Sequence, residues 1–194
     1  MPEQPANLIL ASQSPRRRRL LTQAGYEFDV VFPAEGAEDG ATDQETAEEL
    51  VARLAYQKTA DVACRVDEGV VIGCDTLVEC RGRVLGKPTD RQDASQMLQL
   101  LRGRAHHVFS GLCLWRRPDD KTLVKTDVTE LRIEPISDDQ LETYLDSNAW
   151  QGKAGAFGYQ DRLAWIRIVA GSESNVVGLP MELLVRMIGE LDFL

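Results

Sequence analysis

The run VVIGCDTLVEC, Val70–Cys80, constrains the fold more than any other stretch of this chain. A segment so apolar reads as a strand buried on both faces, and such strands lie in sheets that carry helices on both sides. LILA (Leu8–Ala11) is a second short apolar strand and FDVVF (Phe28–Phe32) a third. Between these two, SQSP opens a helix over RRRRLLTQAG, with Ser14 as N-cap, Pro15 at the first helical position and Gly25 as the stop. The next helix is predicted to open at Thr42, where T-x-x-E to Glu45 makes a capping box; its apolar stripe is Ala47, Leu50, Val51, Leu54 and Val62. After the Val70 strand, RGRVLG (Arg81–Gly86) is a hairpin turn with its return, and a helix runs from Asp90 to Arg102. HVFSGLCLW and TLVKTDVTELRI alternate as paired antiparallel strands across Pro118–Asp120. Ser137 caps a further helix through Gln140, AWIRIV (Ala164–Val169) is a strand, and Pro180 begins the last helix. Parallel-style alternation around a central hairpin predicts an α/β fold with a mixed twisted sheet flanked by helices.

With 194 residues the chain suits a single domain spanning 1–194, and 43 % hydrophobic with 27 % charged side chains is a soluble globular composition. Acidic side chains number 31 against 22 basic, a net charge of −9, which excludes a general nucleic-acid partner: no global positive field draws in a phosphate backbone. An anionic ligand therefore requires a local basic pocket. No apolar run approaches the ~20 residues of a membrane span, and MPEQPANLILAS lacks the basic and long apolar regions of a signal peptide, so no membrane partner is expected. Cys64, Cys74, Cys80 and Cys113 show no C-x-x-C spacing and read as reduced, buried hydrophobes of a cytoplasmic protein. The adjacent His106 and His107 do not make a metal site and are placed at a strand edge. Chemistry is left to carboxylates, lysines, arginines and hydroxyls.

Several residues break their local rule. Asp75 interrupts an apolar strand, where an unpaired carboxylate costs several kcal/mol, so it needs a cation, a metal or a strand end. Arg16–Arg19 place cations in a helix's first turn, against the dipole by about 0.3–1 kcal/mol each; the same turn offers free N–H groups to a phosphate. A solvated basic face is the plainer alternative. Lys58 falls on the apolar stripe of its helix, as a snorkelling lysine or as a buried cation. Lys87, in Gly86-Lys87-Pro88, is not part of a Walker loop, because Pro88 replaces the required hydroxyl, but it can still meet a phosphate. GKAGAFGYQ (Gly152–Gln160) spaces its glycines three apart, unlike a dinucleotide fingerprint; Lys153 and Gln160 there suit a loop that approaches a ligand, or a plain glycine-rich turn. Glu35 and Glu38 follow the second strand and either can serve a metal. Paired carboxylates with a divalent cation to activate water, and Arg and Lys to neutralise a polyphosphate, together point to metal-assisted phosphoanhydride hydrolysis.

LILASQSPRRRRLL, the acidic loop near Glu38, RLAYQK, IGCDTLV, VLGKPTD, GKAGAFGYQ and NVVGLP occur in an order that resembles the Maf proteins, nucleoside triphosphate pyrophosphatases, over about residues 8–190. The resemblance implies an elongated, two-lobed, ITPase-like single domain with a central cleft. It also implies hydrolysis of a nucleoside triphosphate substrate to monophosphate and diphosphate with Mg²⁺ or Mn²⁺, and a homodimer. Asp75 matches the family's proton acceptor. Ser12, Arg16 and Arg17 match its phosphate-binding segment, Lys58 and Lys87 its two lysines, and Glu38, with Glu35 as substitute, the carboxylate that joins Asp75 at the metal. Arg16, Thr76 and Gln160 resemble the subgroup that acts on dTTP and UTP; a Thr hydroxyl and a Gln amide can read the edge shared by thymine and uracil. The alternatives are a pyrophosphatase for 7-methyl-GTP or another modified nucleotide and, in a different class, a nucleotide-binding regulator of septum formation.

Overall fold

Strand alternation in the first third of the chain divides its side chains between two helical layers. The structure, a computed structural model, describes residues 7–38, 45–161 and 163–192. In chain order the elements are β1 (Leu8–Ala11), α1 (Pro15–Gln23), β2 (Asp29–Val30), α2 (Ala47–Ala63), β3 (Gly69–Cys80), β4 (Arg83–Leu85), α3 (Arg91–Leu101), β5 (Ala105–Arg117), β6 (Lys121–Ile133), α4 (Asp138–Asp146), β7 (Ile166–Ala170), α5 (Glu173–Val177) and α6 (Met181–Asp192). The strands pair in the order β2-β1-β3-β5-β6-β7, with β4 on β3. β1 is parallel to β2 and β3, whereas β4 on β3 and β7 on β6 are antiparallel, so the sheet is mixed as expected.

The chain divides into two compact units, the first comprising Met1–Asp75, Ser110–Asp127 and Gly178–Leu194, the second Thr76–Phe109 and Val128–Val177. In the first unit, Leu8, Leu10, Val70, Ile72 and Cys74 pack with Leu21 of α1 and with Leu183, Leu184, Met187 and Ile188 of α6. The alternate positions Ile9, Ala11 and Val71 face Val62 and Ala63 of α2. Each large side chain removed from water in this way contributes about 1.5–3 kcal/mol, and the period of two assigns it to one layer or the other. Helix α2 lies unusually close to the strands because Gly73 and Gly111 make room. A Cβ at Gly73 would sit 2.0 Å from Thr59 Oγ1, and one at Gly111 would sit 2.0 Å from the Val51 carbonyl oxygen. The second unit has one core, in which Val78, Leu85, Leu98, Leu101, Val108, Leu131, Ile133, Leu145, Phe157 and Ile166 join β4, α3, α4 and the ends of β3, β5 and β6.

Several expectations change in detail. Helix α2 begins at Ala47 rather than Thr42: Thr46 is the N-cap and forms the capping box with Glu49, while Thr42 lies outside the described residues. Its buried stripe runs through Leu50, Val51, Ala55, Thr59 and Val62, and Leu54 is only half-buried. Small residues face the sheet because the glycines draw the helix in. FDVVF shortens to Asp29–Val30, the length over which β2 pairs with Ile9 and Leu10 of β1. His106 is not at an edge but fully buried, with its ring edge-on to Phe157 at 5.3 Å. Cys74, Cys80 and Cys113 are buried free thiols, but Cys64, at the end of α2, is exposed. Helix α5 and the short helical turns Ala154–Ala156 and Tyr159–Asp161 were not expected. Among the described residues no helix is long and apolar enough to cross a membrane.

Candidate functional site

The odd carboxylate of β3 is explained by the face it occupies. Asp75 follows Val71 and Gly73 at the strand's period of two, which turns it toward α2. On α2, Lys58 precedes Thr59, the residue seated on Gly73, so the close approach of helix and strand brings the lysine to the aspartate. Lys58 Nζ lies 2.5 Å from Asp75 Oδ1 and 2.9 Å from Glu38 Oε2. The side chains are 12 % (Lys58), 16 % (Asp75) and 39 % (Glu38) exposed, which grades the trio from a shielded interior to solvent. The ammonium resolves the cost of placing Asp75 in an apolar strand. Two carboxylates against one cation leave the trio net negative.

Glu38 reaches Lys58 from the loop after β2, and α2 braces that loop as well. Asp61 Oδ2 accepts the Ala34 backbone N–H at 2.9 Å, and Arg65 Nη2 donates to the Phe32 carbonyl at 2.8 Å and to Asp61 Oδ2 at 2.6 Å. The Ala34 N–H, with help from Arg65, holds the Asp61 carboxyl below the usual carboxylate range. Asp61 and Arg65 were missed in the sequence; their i,i+4 spacing on a helix was the available signal. Glu35 is exposed on the same loop.

At the start of α1, Ser14 Oγ accepts the Arg17 N–H. Ser12 Oγ accepts the Ser14 N–H at 3.1 Å and Arg17 Nη1 at 3.2 Å. Arg17 is buried and its Nε donates to the Gly178 carbonyl at 2.7 Å. The four-arginine run therefore splits: Arg17 ties α1 to the Gly178 segment, Arg16 is half-buried, and Arg18 and Arg19 are exposed. Gly178, whose carbonyl also accepts Cys74 Sγ–H, was not singled out in the sequence.

The second unit holds the remaining candidates. Thr76 follows Asp75 directly in β3 and is half-buried; Lys87 is exposed after β4. The glycine-rich loop joins the Lys87 segment through Gly155 N–H to the Gly86 carbonyl at 2.9 Å. Gly155 has φ +65, and a Cβ there would lie 2.8 Å from Val78 Cγ2, so both conformation and space demand glycine. Lys153 Nζ lies 2.5 Å from Asp161 Oδ2, and Tyr144 OH donates to the same oxygen at 3.2 Å. Burial and the neighbouring Asp161 carboxylate push the Tyr144 phenol up. Thr143, Tyr144, Asp161 and Trp165 help to line a cavity of about 460 Å³. Asp161 and Tyr144 had no signal in the sequence, since only the folded loop brings them together.

The carboxylates that could serve a divalent cation here are Glu38 and Asp75. Among the described residues no cluster of three or more His, Cys, Asp and Glu side chains is suited to a metal. Two carboxylates with a net negative charge nonetheless suit a Mg²⁺-like ion, which binds through one or two carboxylates and completes its shell with water and substrate phosphates.

Comparison with known proteins gives these groups a context. Residues 7–191 match the family described as Maf-like protein. A dTTP/UTP pyrophosphatase of Rhodopirellula baltica is 53 % identical over 185 residues, covering 95 % of this chain and 82 % of that protein. One from Symbiobacterium thermophilum is 41 % identical over 187 residues, with 96 % and 94 % covered. Among solved structures, the Ham1 protein of Staphylococcus aureus superposes with a TM-score of 0.54 over 95 % of this chain and 99 % of that one; at 15 % identity it speaks to the fold alone. The family match across nearly the whole chain and the identity to these relatives place the protein in one family: the chain belongs to the Maf family.

Proposed function

We propose that residues 1–194 form a single-domain cytoplasmic enzyme that hydrolyses dTTP and UTP to the nucleoside monophosphate and diphosphate. The observation that carries this reading is the Lys58 ammonium clasped by Asp75 at 2.5 Å and Glu38 at 2.9 Å. Relatives named dTTP/UTP pyrophosphatase, at 53 % and 41 % identity, support the choice of substrate. Lys58 holds Asp75 Oδ1, and Oδ2 is the atom that takes the proton of the water attacking the α-phosphorus. A positioned base of this kind contributes about 10²–10⁴-fold. Lys58 fixes the carboxylate's orientation. Arg16 and Lys87 neutralise the triphosphate, with Ser12 and Arg17 shaping the start of α1 on which Arg16 stands. Glu38 and Asp75 would hold Mg²⁺ or Mn²⁺, which supplies charge neutralisation at the phosphates and a more acidic bound water. Thr76 and Gln160 contact the base, and Lys153 supports the loop that carries Gln160.

The test is diphosphate release from canonical and modified nucleoside triphosphates in Mg²⁺, Mn²⁺ or EDTA. Metal-dependent turnover greatest for dTTP and UTP is expected, and Asp75→Asn must abolish it while the melting curve stays cooperative. A maximum at 7-methyl-GTP would keep the chemistry and discard the substrate; tight nucleotide binding without release would replace the enzyme with a regulator.

A further inference from the structure

Gln160 sits in a small group of charges that closes the glycine-rich loop on itself. Lys153 begins the closed segment and Asp161 ends it, joined at 2.5 Å. Gly158 lies beneath: a Cβ there would fall 2.6 Å from Lys153 Nζ, 2.7 Å from Gln160 Nε2 and 2.8 Å from Asp161 Oδ2. The ammonium, the amide and the carboxylate thus crowd one patch of backbone that only glycine leaves open. Asp161 Oδ2 also accepts the hydroxyl of Tyr144, so the end of the loop is fastened to α4. Tyr144 is itself anchored, buried and edge-on to Trp165 at 5.4 Å.

We infer that Asp161 and Tyr144 are positioning residues for Gln160, and so determinants of base selectivity that never touch the substrate. This rests on the reading of Gln160 as a base contact in a dTTP/UTP pyrophosphatase. An amide can discriminate between base edges only if its O and N ends are held in one orientation; a freely rotating amide serves thymine and cytosine alike. Gly158 leaves open the space in which the Gln160 amide lies, and the Lys153 ammonium bounds that space. Asp161 fixes Lys153, and Tyr144 fixes Asp161. The carboxylate is the hub: one oxygen receives both donors, and its removal releases the lysine and the tyrosine at once.

The experiment compares kcat/KM for dTTP and dCTP in wild type, Gln160→Ala, Asp161→Asn, Asp161→Glu and Tyr144→Phe. Gln160→Ala and Asp161→Asn should each shrink the dTTP:dCTP ratio about tenfold, the worth of one well-placed hydrogen bond. Combining them should shrink it no further, because both act through one amide. Tyr144→Phe should lower the ratio by less, and Asp161→Glu should recover part of it. A purely structural role would lower turnover of both nucleotides alike and leave the ratio intact; that result in Asp161→Asn, with Gln160→Ala losing selectivity, overturns the inference. If Gln160→Ala keeps the ratio, the base-contact reading itself fails. Positioning is then judged by the ¹⁵N side-chain amide signal of Gln160, identified by its absence in Gln160→Ala. Asp161→Asn must move that signal to a solvent-exposed shift, and an unmoved signal overturns the positioning role regardless of substrate.

Discussion

Each unit of the molecule contains a largely buried lysine paired with a carboxylate at 2.5 Å, Lys58 with Asp75 and Lys153 with Asp161, and these two pairs are built in opposite ways. In the first unit, Lys58 and Asp75 stand on a helix and a strand whose approach is set by Gly73 and Gly111. A second carboxylate, Glu38, makes that pair net negative. In the second unit, Lys153 and Asp161 stand on one loop, with Tyr144 as a neutral partner. A pair on regular elements, short of positive charge, is equipped for chemistry on an anion and its cation; a balanced pair within a loop is equipped to hold shape. The largest difference therefore lies in activity. Lys58→Met should lower kcat about 10³-fold, since it leaves two carboxylates facing each other where a base must be oriented. Lys153→Met should cost only about tenfold, through a loosened loop. Equal losses in steady-state diphosphate release would erase the distinction.

The second contrast is in acid. Both histidines of the chain lie in the second unit, and burial of His106 against Phe157 brings its imidazole down to about 4 from 6.5. Above pH 6.5 the ring is neutral whether the chain is folded or not, so the stability is complete. Between 6.5 and about 4 the unfolded chain binds a proton that the folded one refuses, and stability falls as pH falls, by about 3 kcal/mol in all. The first unit's lowered carboxyls, such as Asp61, weaken stability only as pH falls through the ordinary carboxylate range and below it. Denaturant midpoints should therefore decline from pH 6.5 to 4 in the wild type and flatten in His106→Phe. An unchanged slope would show that the decline arises elsewhere.

How much was legible follows the same division. Leu8–Ala11, the Ser14-Pro15 start of α1 and the Asp75 strand were readable because local capping and apolar runs agree with the fold there. Asp75 and Lys58 stood out as charges in apolar patterns, a conflict visible without structure. Their mutual contact was not, because it depends on two glycines that admit α2, and a glycine's lack of a side chain looks the same whether it serves a turn or a close approach. The sequence offers two starts for α2, because T-x-x-E fits at Thr42 and Glu45 and the box the helix uses, Thr46 with Glu49, has the same spacing. Asp161 and Tyr144 were invisible for another reason: they are ordinary residues whose meaning comes only from the fold, which brings the Tyr144 hydroxyl and Lys153 onto one oxygen of Asp161.

The glycines sharpen the comparison further. Gly111→Ala would place a methyl 2.0 Å from the backbone oxygen of Val51, and a helix cannot yield as a side chain tip can. About 2 kcal/mol of stability should be lost, and kcat should fall with it because α2 carries Lys58. Gly155→Ala in the second unit strains a φ of +65 and meets Val78. Its stability loss should be similar, about 1–2 kcal/mol, but kcat should change little. Thermal melts set beside kcat separate the two.

The smallest effect tests whether the start of α2 belongs to the site or only to the scaffold. Thr46 and Ser137 form the same reciprocal box: Thr46 Oγ1 accepts the Glu49 N–H at 3.2 Å, and Ser137 Oγ accepts the Gln140 N–H at 3.2 Å. Loss of either hydroxyl leaves a first-turn N–H to water, at about 1 kcal/mol. Thr46→Ala and Ser137→Ala should therefore lower the denaturant midpoint by similar amounts. Lys58 lies about three turns into α2 from its cap, beyond the reach of a frayed first turn, and it is held there by Gly73 and Asp75. Fraying at Thr46 should thus leave kcat within about twofold of wild type, because the effects of a lost cap stay within the terminal turn. A tenfold fall in Thr46→Ala alone would mean that the helix start, not the glycine contact, sets the position of the lysine.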